Sequence, residues 1–187
     1  LLALADLDLA EALLALRLYP EALALAENAH RWFRMRSVPV ECAKCELILG
    51  ITRGSLGNHR AADRSLAAAD RAFRARGHHP GRAAVALARA QMLRSQGLRP
   101  DASSKALWAR RILRRAGFRL RALAAGALAA EVLLEDGRVS RAEALARKLL
   151  AESPLPGDAY SRARLERILG ASASPRGDIR AALHHYR

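Results

Sequence analysis

A glycine, four residues, then an alanine opening an amphipathic segment recurs at Gly57–Ala62, Gly97–Ala102, Gly137–Ala142 and Gly177–Ala182, each 40 residues after the last. One step earlier Ala22 fills the alanine slot and Arg17 the glycine slot. Gly77, Gly117 and Gly157 form a second series with the same step, and Ser37 holds its first place. Self-similarity at a fixed period of this length means a repeat array, in which each unit buries its apolar face against its neighbours. No other feature of the chain constrains the fold as strongly.

Forty residues accommodate two helices and two turns. The pattern predicts helices over about 1–16, 20–36, 40–54, 59–76, 81–96, 100–116, 118–136, 140–152 and 158–169, with another opening at Asp178. In the first, Leu9, Leu13 and Leu16 with Ala10 read as the inward stripe; in the second, Ala22, Ala29 and Phe33 do. Pro20 suits a first helical turn, where its missing N–H costs nothing. Ser37-Val38-Pro39 stops the second helix, because the residue before proline avoids the helical region. Asn58 reads as an N-cap, Ser140 with Glu143 as a capping box, and Gly77, Gly117 and Gly157 as left-handed helix ends. Pro154-Leu155-Pro156-Gly157 closes the fourth pair.

Small side chains keep the same step. Twelve residues before each key alanine stand Ala10, Gly50, Ala90, Ala130 and Gly170. Seven after it come Ala29, Ala69, Ala109 and Leu149, and eleven after it Phe33, Phe73 and Leu113. Minimal bulk where helices cross, with large residues at the far end, is the expected packing of a helical hairpin. Aromatics make up only 4% of the chain, so its core must be built from Leu and Ala, both strong helix formers.

This register resembles the tetratricopeptide (TPR) repeat, whose eighth position is small and whose twentieth and twenty-seventh are usually alanine. Ala10/Ala22/Ala29, Gly50/Ala62/Ala69, Ala90/Ala102/Ala109 and Ala130/Ala142/Leu149 fall on those positions. The period departs from the usual 34, and the position four after the middle alanine is mostly small: Ala26, Leu66, Ala106, Ala146. HEAT-type repeats share the 40-residue period, but the small–alanine–alanine register favours TPR. The resemblance implies an all-α, right-handed α-solenoid of about five hairpins, over 1–37, 38–77, 78–117, 118–157 and 158–187, forming a single domain. With helical patterns at both ends, the chain reads as part of a longer polypeptide. More narrowly, it is similar to arginine-rich TPR arrays that precede caspase-like CHAT domains in actinobacterial proteins, and Ser174–Arg187 looks like the repeat leading into such a domain. The His/Cys pair of CHAT domains matches nothing here, so no catalytic residue is carried over.

In TPR arrays the first helix of each pair lines the concave face. By register that face takes in Leu7, Glu11, Lys44, Leu47, Ile51, Leu87, Gln91, Arg94, Ala127, Glu131, Glu135 and Arg167. Such a surface implies a protein or peptide partner, or the remainder of the same chain. The carboxylate clamp of chaperone-tail binders is not matched, because only Lys44 fits it.

The net charge is +14, distributed unevenly: residues 1–50 carry −2 and the remainder +16. Arg31, Arg71 and Arg111 share one register and Arg34, Arg74 and Arg114 another, with Arg110 and Arg115 widening the third rung. These predict a basic outer face. Arginine suits phosphate, yet no aromatic is interleaved for base stacking, so a solvated face is the first expectation and nucleic-acid binding the alternative. Cys42-Ala-Lys-Cys45 supplies two zinc ligands where four are wanted, and reads as small residues buried on a helix. His78-His79 and His184-His185 lack a metal-binding arrangement, and Trp32 and Trp108 read as packing residues. No nucleophile–base set, P-loop or dinucleotide fingerprint is present. The expectation is a non-enzymatic, cofactor-free, cytoplasmic binding scaffold without a membrane span or signal peptide. Self-association through the end hairpins is a further expectation.

Overall fold

Helix and turn alternate at a constant interval through the computed structural model, which describes residues 2–152 and 159–173. Among the described residues there are nine helices and no strand: α1 Leu2–Ala15, α2 Tyr19–Met35, α3 Pro39–Ser55, α4 His59–Ala75, α5 His79–Ser95, α6 Arg99–Arg115, α7 Arg119–Glu135, α8 Val139–Glu152 and α9 Ala159–Ala173. From α2 onward each helix begins 20 residues after the previous one. The two 40-residue glycine series therefore interleave, so one turn type serves both positions of the hairpin.

Arg17, Ser37, Gly57, Gly77, Gly97, Gly117 and Gly137 all have positive φ, between 55° and 83°. At each such residue the helix closes in the same way. The Gly57 N–H donates to the Gly54 carbonyl at 3.1 Å, and the Asn58 N–H reaches back to the Arg53 carbonyl at 2.8 Å. Gly117 and Phe118 repeat this pair of bonds onto Arg114 and Leu113. This is the Schellman arrangement, which satisfies carbonyls that the helix end leaves open. The residue after the left-handed one is already the N-cap of the next helix. Of these caps, Asn58 accepts a bond from the Ala61 N–H at 3.2 Å, and the His78 Nδ1 accepts from the Gly81 N–H at 3.0 Å. Leu18, Val38, Leu98 and Phe118 cap without a side-chain bond. Proline in the first turn helps set the start of α2, α3 and α6.

This geometry shifts several expected boundaries. α5 starts at His79 rather than Gly81, and α9 runs through Gly170 to Ala173. Ser140 is the second residue of α8, not its cap; the Arg138 carbonyl takes the first bond, and Glu143 pairs with Arg147 at 2.7 Å. The expected features at 154–158, Gly177, Asp178 and His184-His185 lie outside the described residues.

The chain divides into two compact units, residues 1–92 and 93–187. In the first, Ala3, Leu7 and Ala10 of α1 pack with Ala26, Ala29 and Phe33 of α2 and with Cys45, Ile48 and Leu49 of α3. A second cluster joins Ala43 to Ala62, Leu66, Ala69 and Phe73 of α4 and to Val85, Ala88 and Met92 of α5. In the second unit Leu123, Ala127, Ala130 and Leu133 of α7 meet Ala142, Ala146 and Leu149 of α8 and Leu165, Ile168 and Leu169 of α9. The small-residue register is buried throughout: Ala10, Ala22, Ala29, Ala62, Ala69, Ala90, Ala102, Ala109, Ala130 and Ala142 are inaccessible to solvent.

Two departures from that register are matched by glycines. Leu66 stands where three other repeats have alanine, and a Cβ on Gly50 would come within 2.6 Å of its side chain. Leu149 likewise replaces alanine, and a Cβ on Gly126 would lie 2.8 Å from it. Each added leucine fills the volume left by a missing methyl on the facing helix, which keeps the interior close-packed.

The stripe expected on α1 is corrected. Leu9 and Leu16 are exposed; Ala10 is buried as expected and Leu13 half-buried, and Ala3, Leu7 and Leu14 join Ala10 on the inward side. α1 is apolar on most of its circumference, so spacing alone admits several stripes; the 40-residue register of Ala10 selects the real one.

Candidate binding surface

The first helices of the hairpins are α1, α3, α5, α7 and α9, and the proposed groove residues lie on them. In the first unit Glu11 and Gln91 are exposed, while Lys44, Leu47, Ile51 and Leu87 are half-buried. Leu47 and Ile51 rest on the cluster shared by α3, α4 and α5 and keep part of their surface open. Leu7 is a correction: it is fully buried among α1, α2 and α3 and lines no surface. Its neighbours on α2 and α3 close over a position that the register alone places on the concave side.

In the second unit the groove residues bind one another. Glu131 of α7 is 6% exposed and accepts from the Nε and Nη2 of the Arg164 guanidinium at 2.8 and 2.7 Å. Arg167 adds a bond at 3.1 Å and Arg94, from the last turn of α5, one at 3.3 Å. Arg94 also forks onto Glu135. Burial pushes the Glu131 carboxyl up, but the hydrogen bonds and charge of Arg164, with the charges of Arg94 and Arg167, outweigh it and hold the group below the usual carboxylate range. The bond to Glu131 raises Arg164, and the bond to Glu135 raises Arg94. Ala127, one turn before Glu131, is also buried. The structure thus brings Arg94, Glu131, Glu135 and Arg167 into one network across three helices.

Arg164, which donates the two shortest bonds to Glu131, was not among the residues expected on this face. Its signal was present: it occupies the Lys44 register.

The six arginines of the expected outer face are all exposed. In the first unit Arg31 bonds Asn28, and Arg74 pairs with Asp70 at 2.9 Å. Asp70 also accepts from Arg82 of α5 at 3.2 Å. In the second unit Arg114 lies 3.8 Å from Glu152. Arg110 is corrected: its side chain is only 14% exposed and bonds Glu152, so it ties α6 to α8 and widens no surface rung.

The CxxC cysteines sit in the interior of α3. Burial raises the Cys42 thiol, and burial together with Cys42 pushes Cys45 up to about 12. Both are therefore thiols near neutrality, unsuited to thiolate chemistry. The His78 ring stacks on Phe73 at 5.1 Å, and Trp32 meets Phe33 edge-on at 5.3 Å. Among the described residues, no group of three or more His, Cys, Asp or Glu side chains is placed to hold a metal, and no helix is long and apolar enough to cross a membrane.

Helices of 14 to 17 residues, Schellman turns and buried alanines at a 40-residue step define an all-α helical-repeat solenoid. Among solved structures, the chain is similar to a candidate kinesin light chain from Podosopora anserina with nearly identical TPR-like repeats. The identity is 18%, the TM-score 0.74, and the match covers 97% of this chain and 90% of that one. A singly substituted form of the same protein matches at 17% identity and TM-score 0.74, covering 97% and 89%. No protein-family model and no curated protein matches the sequence.

Proposed function

We propose that the chain is a protein-interaction scaffold that holds a segment of a partner polypeptide on the first helices of residues 1–92. The observation that carries this reading is the set Leu47, Ile51 and Leu87. Leu47 of α3 and Leu87 of α5 share one register, Ile51 lies one turn after Leu47, and all three are half-buried, with Lys44 and Gln91 beside them to orient a peptide backbone. Apolar anchors ringed by polar groups are the usual make-up of a peptide-binding surface. The partner is a separate protein or another part of the same polypeptide. The likeness to arginine-rich arrays that precede CHAT domains supports a finer version, in which binding recruits or senses a partner for a caspase-like effector in the cytoplasm, and this chain itself performs no catalysis.

Selection of peptides from a random display library, followed by affinity measurement, tests the reading. The Leu47→Asp/Leu87→Asp double variant, with its helical circular dichroism intact, is expected to bind the selected peptides about tenfold more weakly. Arg31→Glu/Arg71→Glu is expected to leave their affinity within about twofold. Peptides that ignore Leu47 and Leu87 would sink the proposed surface.

One observation favours a second reading, as a phosphate- or nucleic-acid-binding array or the repeat segment of a transcriptional regulator. Arg34, Arg71 and Arg111 are exposed and have no ion-pair partner among the described residues. Under this reading duplex DNA would bind with an affinity that falls steeply with salt, and Arg→Glu changes at these positions would flatten the slope.

A further inference from the structure

We propose that the turn between α6 and α7 is a docking tip for an anionic lipid surface, with arginines for the headgroups and Phe118 and Leu120 for the acyl boundary beneath them. This goes beyond the peptide-holding reading above and uses other residues. Residues 114–121 are all exposed, so the tip stands clear of the chain around it. It carries Arg114, Arg115, Arg119 and Arg121. Phe118 is 41% exposed and Leu120 45%.

The corresponding turns of the array keep their apolar residues covered. Eighty and forty residues earlier, the place of Phe118 holds Val38 and His78, both half-buried. Val38 rests on the cluster of α1, α2 and α3, and the His78 ring stacks on Phe73 at 5.1 Å. The place of Leu120 holds Val40 and Pro80, also half-buried. His78 can lie flat because Gly81 leaves it room: a Cβ there would come within 2.6 Å of both the His78 and Phe73 rings. Arg121 stands in the place of Gly81 and carries that Cβ, while Leu113 replaces the Phe73 platform. Phe118 is thus denied the bed that His78 has. Its ring stays in solvent, with the Arg121 guanidinium carbon 5.8 Å from its centre.

Charge and shape select the partner. No acidic residue stands between Asp101 and Glu131 in the sequence. Glu152 bonds Arg110 and lies 3.8 Å from Arg114, but Arg115, Arg119 and Arg121 have no ion-pair partner among the described residues. The partner is therefore anionic. A run of consecutive exposed residues is a projection rather than a groove, which suits a deformable plane better than a peptide. A single ring gives no stacking platform for successive bases. Apolar side chains set among arginines match a bilayer interface, whose acyl boundary takes the first and whose anionic headgroups take the second.

Co-sedimentation of the full chain with vesicles tests the proposal. Vesicles of equal parts phosphatidylserine and phosphatidylcholine are expected to bind it, and pure phosphatidylcholine vesicles to bind it more than about tenfold less tightly. Phe118→Ser/Leu120→Ser keeps every charge and puts a better N-cap at 118. With helical circular dichroism intact, it should weaken binding to the anionic vesicles about tenfold. Arg119→Gln/Arg121→Gln should weaken it by a similar factor, whereas Arg31→Gln/Arg71→Gln should leave it within about twofold. In a Phe118→Trp chain, emission beyond that of Trp32 and Trp108 should shift to the blue on anionic vesicles and be quenched by lipids brominated in their acyl chains. Binding that is unchanged in Phe118→Ser/Leu120→Ser, or weakened as much by Arg31→Gln/Arg71→Gln as by the tip arginines, would overturn the proposal in favour of plain charge attraction. Binding of duplex DNA with none to anionic vesicles would overturn it too and make nucleic acid the partner.

Discussion

In residues 1–92 the register shared by Glu11, Ile51 and Gln91 leaves two polar side chains in solvent and one aliphatic half-covered. In residues 93–187 the same register holds Glu131, buried and bonded to Arg94, Arg164 and Arg167. The turns, helix lengths and alanines are alike in the two units, so the backbone does not cause this difference. It comes from a few side chains. One unit leaves this register of its first helices open to solvent, and the other uses it to hold α7 and α9 to Arg94. A repeat array can therefore change the role of a face by substitution within one register, without altering the scaffold.

The largest expected effect breaks the comparison at its centre. Glu131→Ala leaves the mostly buried Arg164 guanidinium without its carboxylate and should destabilise residues 93–173 by about 3 kcal/mol, with little effect on α1–α3. Urea unfolding followed by hydrogen exchange at each helix checks both parts. The pH dependence carries the same signature. Because the folded carboxyl is held low, its contribution is fully present above the unfolded value of about 4.3 and fades as pH falls through that value toward the folded one. Acid titration should loosen α7 and α9 of the native chain, and the Glu131→Gln variant should lack that component.

A smaller effect sharpens the likeness between the units. Gly50→Ala places a methyl against Leu66 and should cost about 2 kcal/mol by overpacking. Ala130 and Ala146 fill the corresponding sites in the second unit without a clash, both being fully buried. Gly50→Ala combined with Leu66→Ala should therefore cost less than the sum of the two changes, and a double-mutant cycle measures the coupling.

The smallest effect concerns the turns. Arg17 and Ser37 adopt the left-handed conformation without glycine, whereas Gly117 and Gly137 serve the second unit. Arg17→Gly or Ser37→Gly should stabilise by about 1 kcal/mol, and Gly117→Ala should cost a similar amount, read as opposite shifts in the thermal midpoint.

What was legible follows from which interactions are local. The turns could be read because a left-handed residue calls for glycine, and the packing register because alanine is needed wherever helices approach closely. Boundaries slipped by one or two residues at α5 and α8, since the residue after each left-handed turn doubles as the next cap, and at these two turns it is His78 or Arg138 rather than a Ser, Thr, Asp or Asn. The α1 stripe was misread because leucine surrounds that helix. The Glu131 network was only half visible. Its partners lie 33 to 37 residues away, and pairing over that separation depends on how three helices align, which no spacing within one helix reveals.

The shared turn bears on how such a chain could lengthen or shorten. Loss of any 20-residue block would leave every remaining turn intact, yet would bring an outer helix into an inner slot and set bulky side chains where methyl-sized ones are required. Loss of 40 would preserve both. Local folding signals thus tolerate an error that tertiary packing rejects, so duplications and deletions that survive in this sequence should come in whole hairpins.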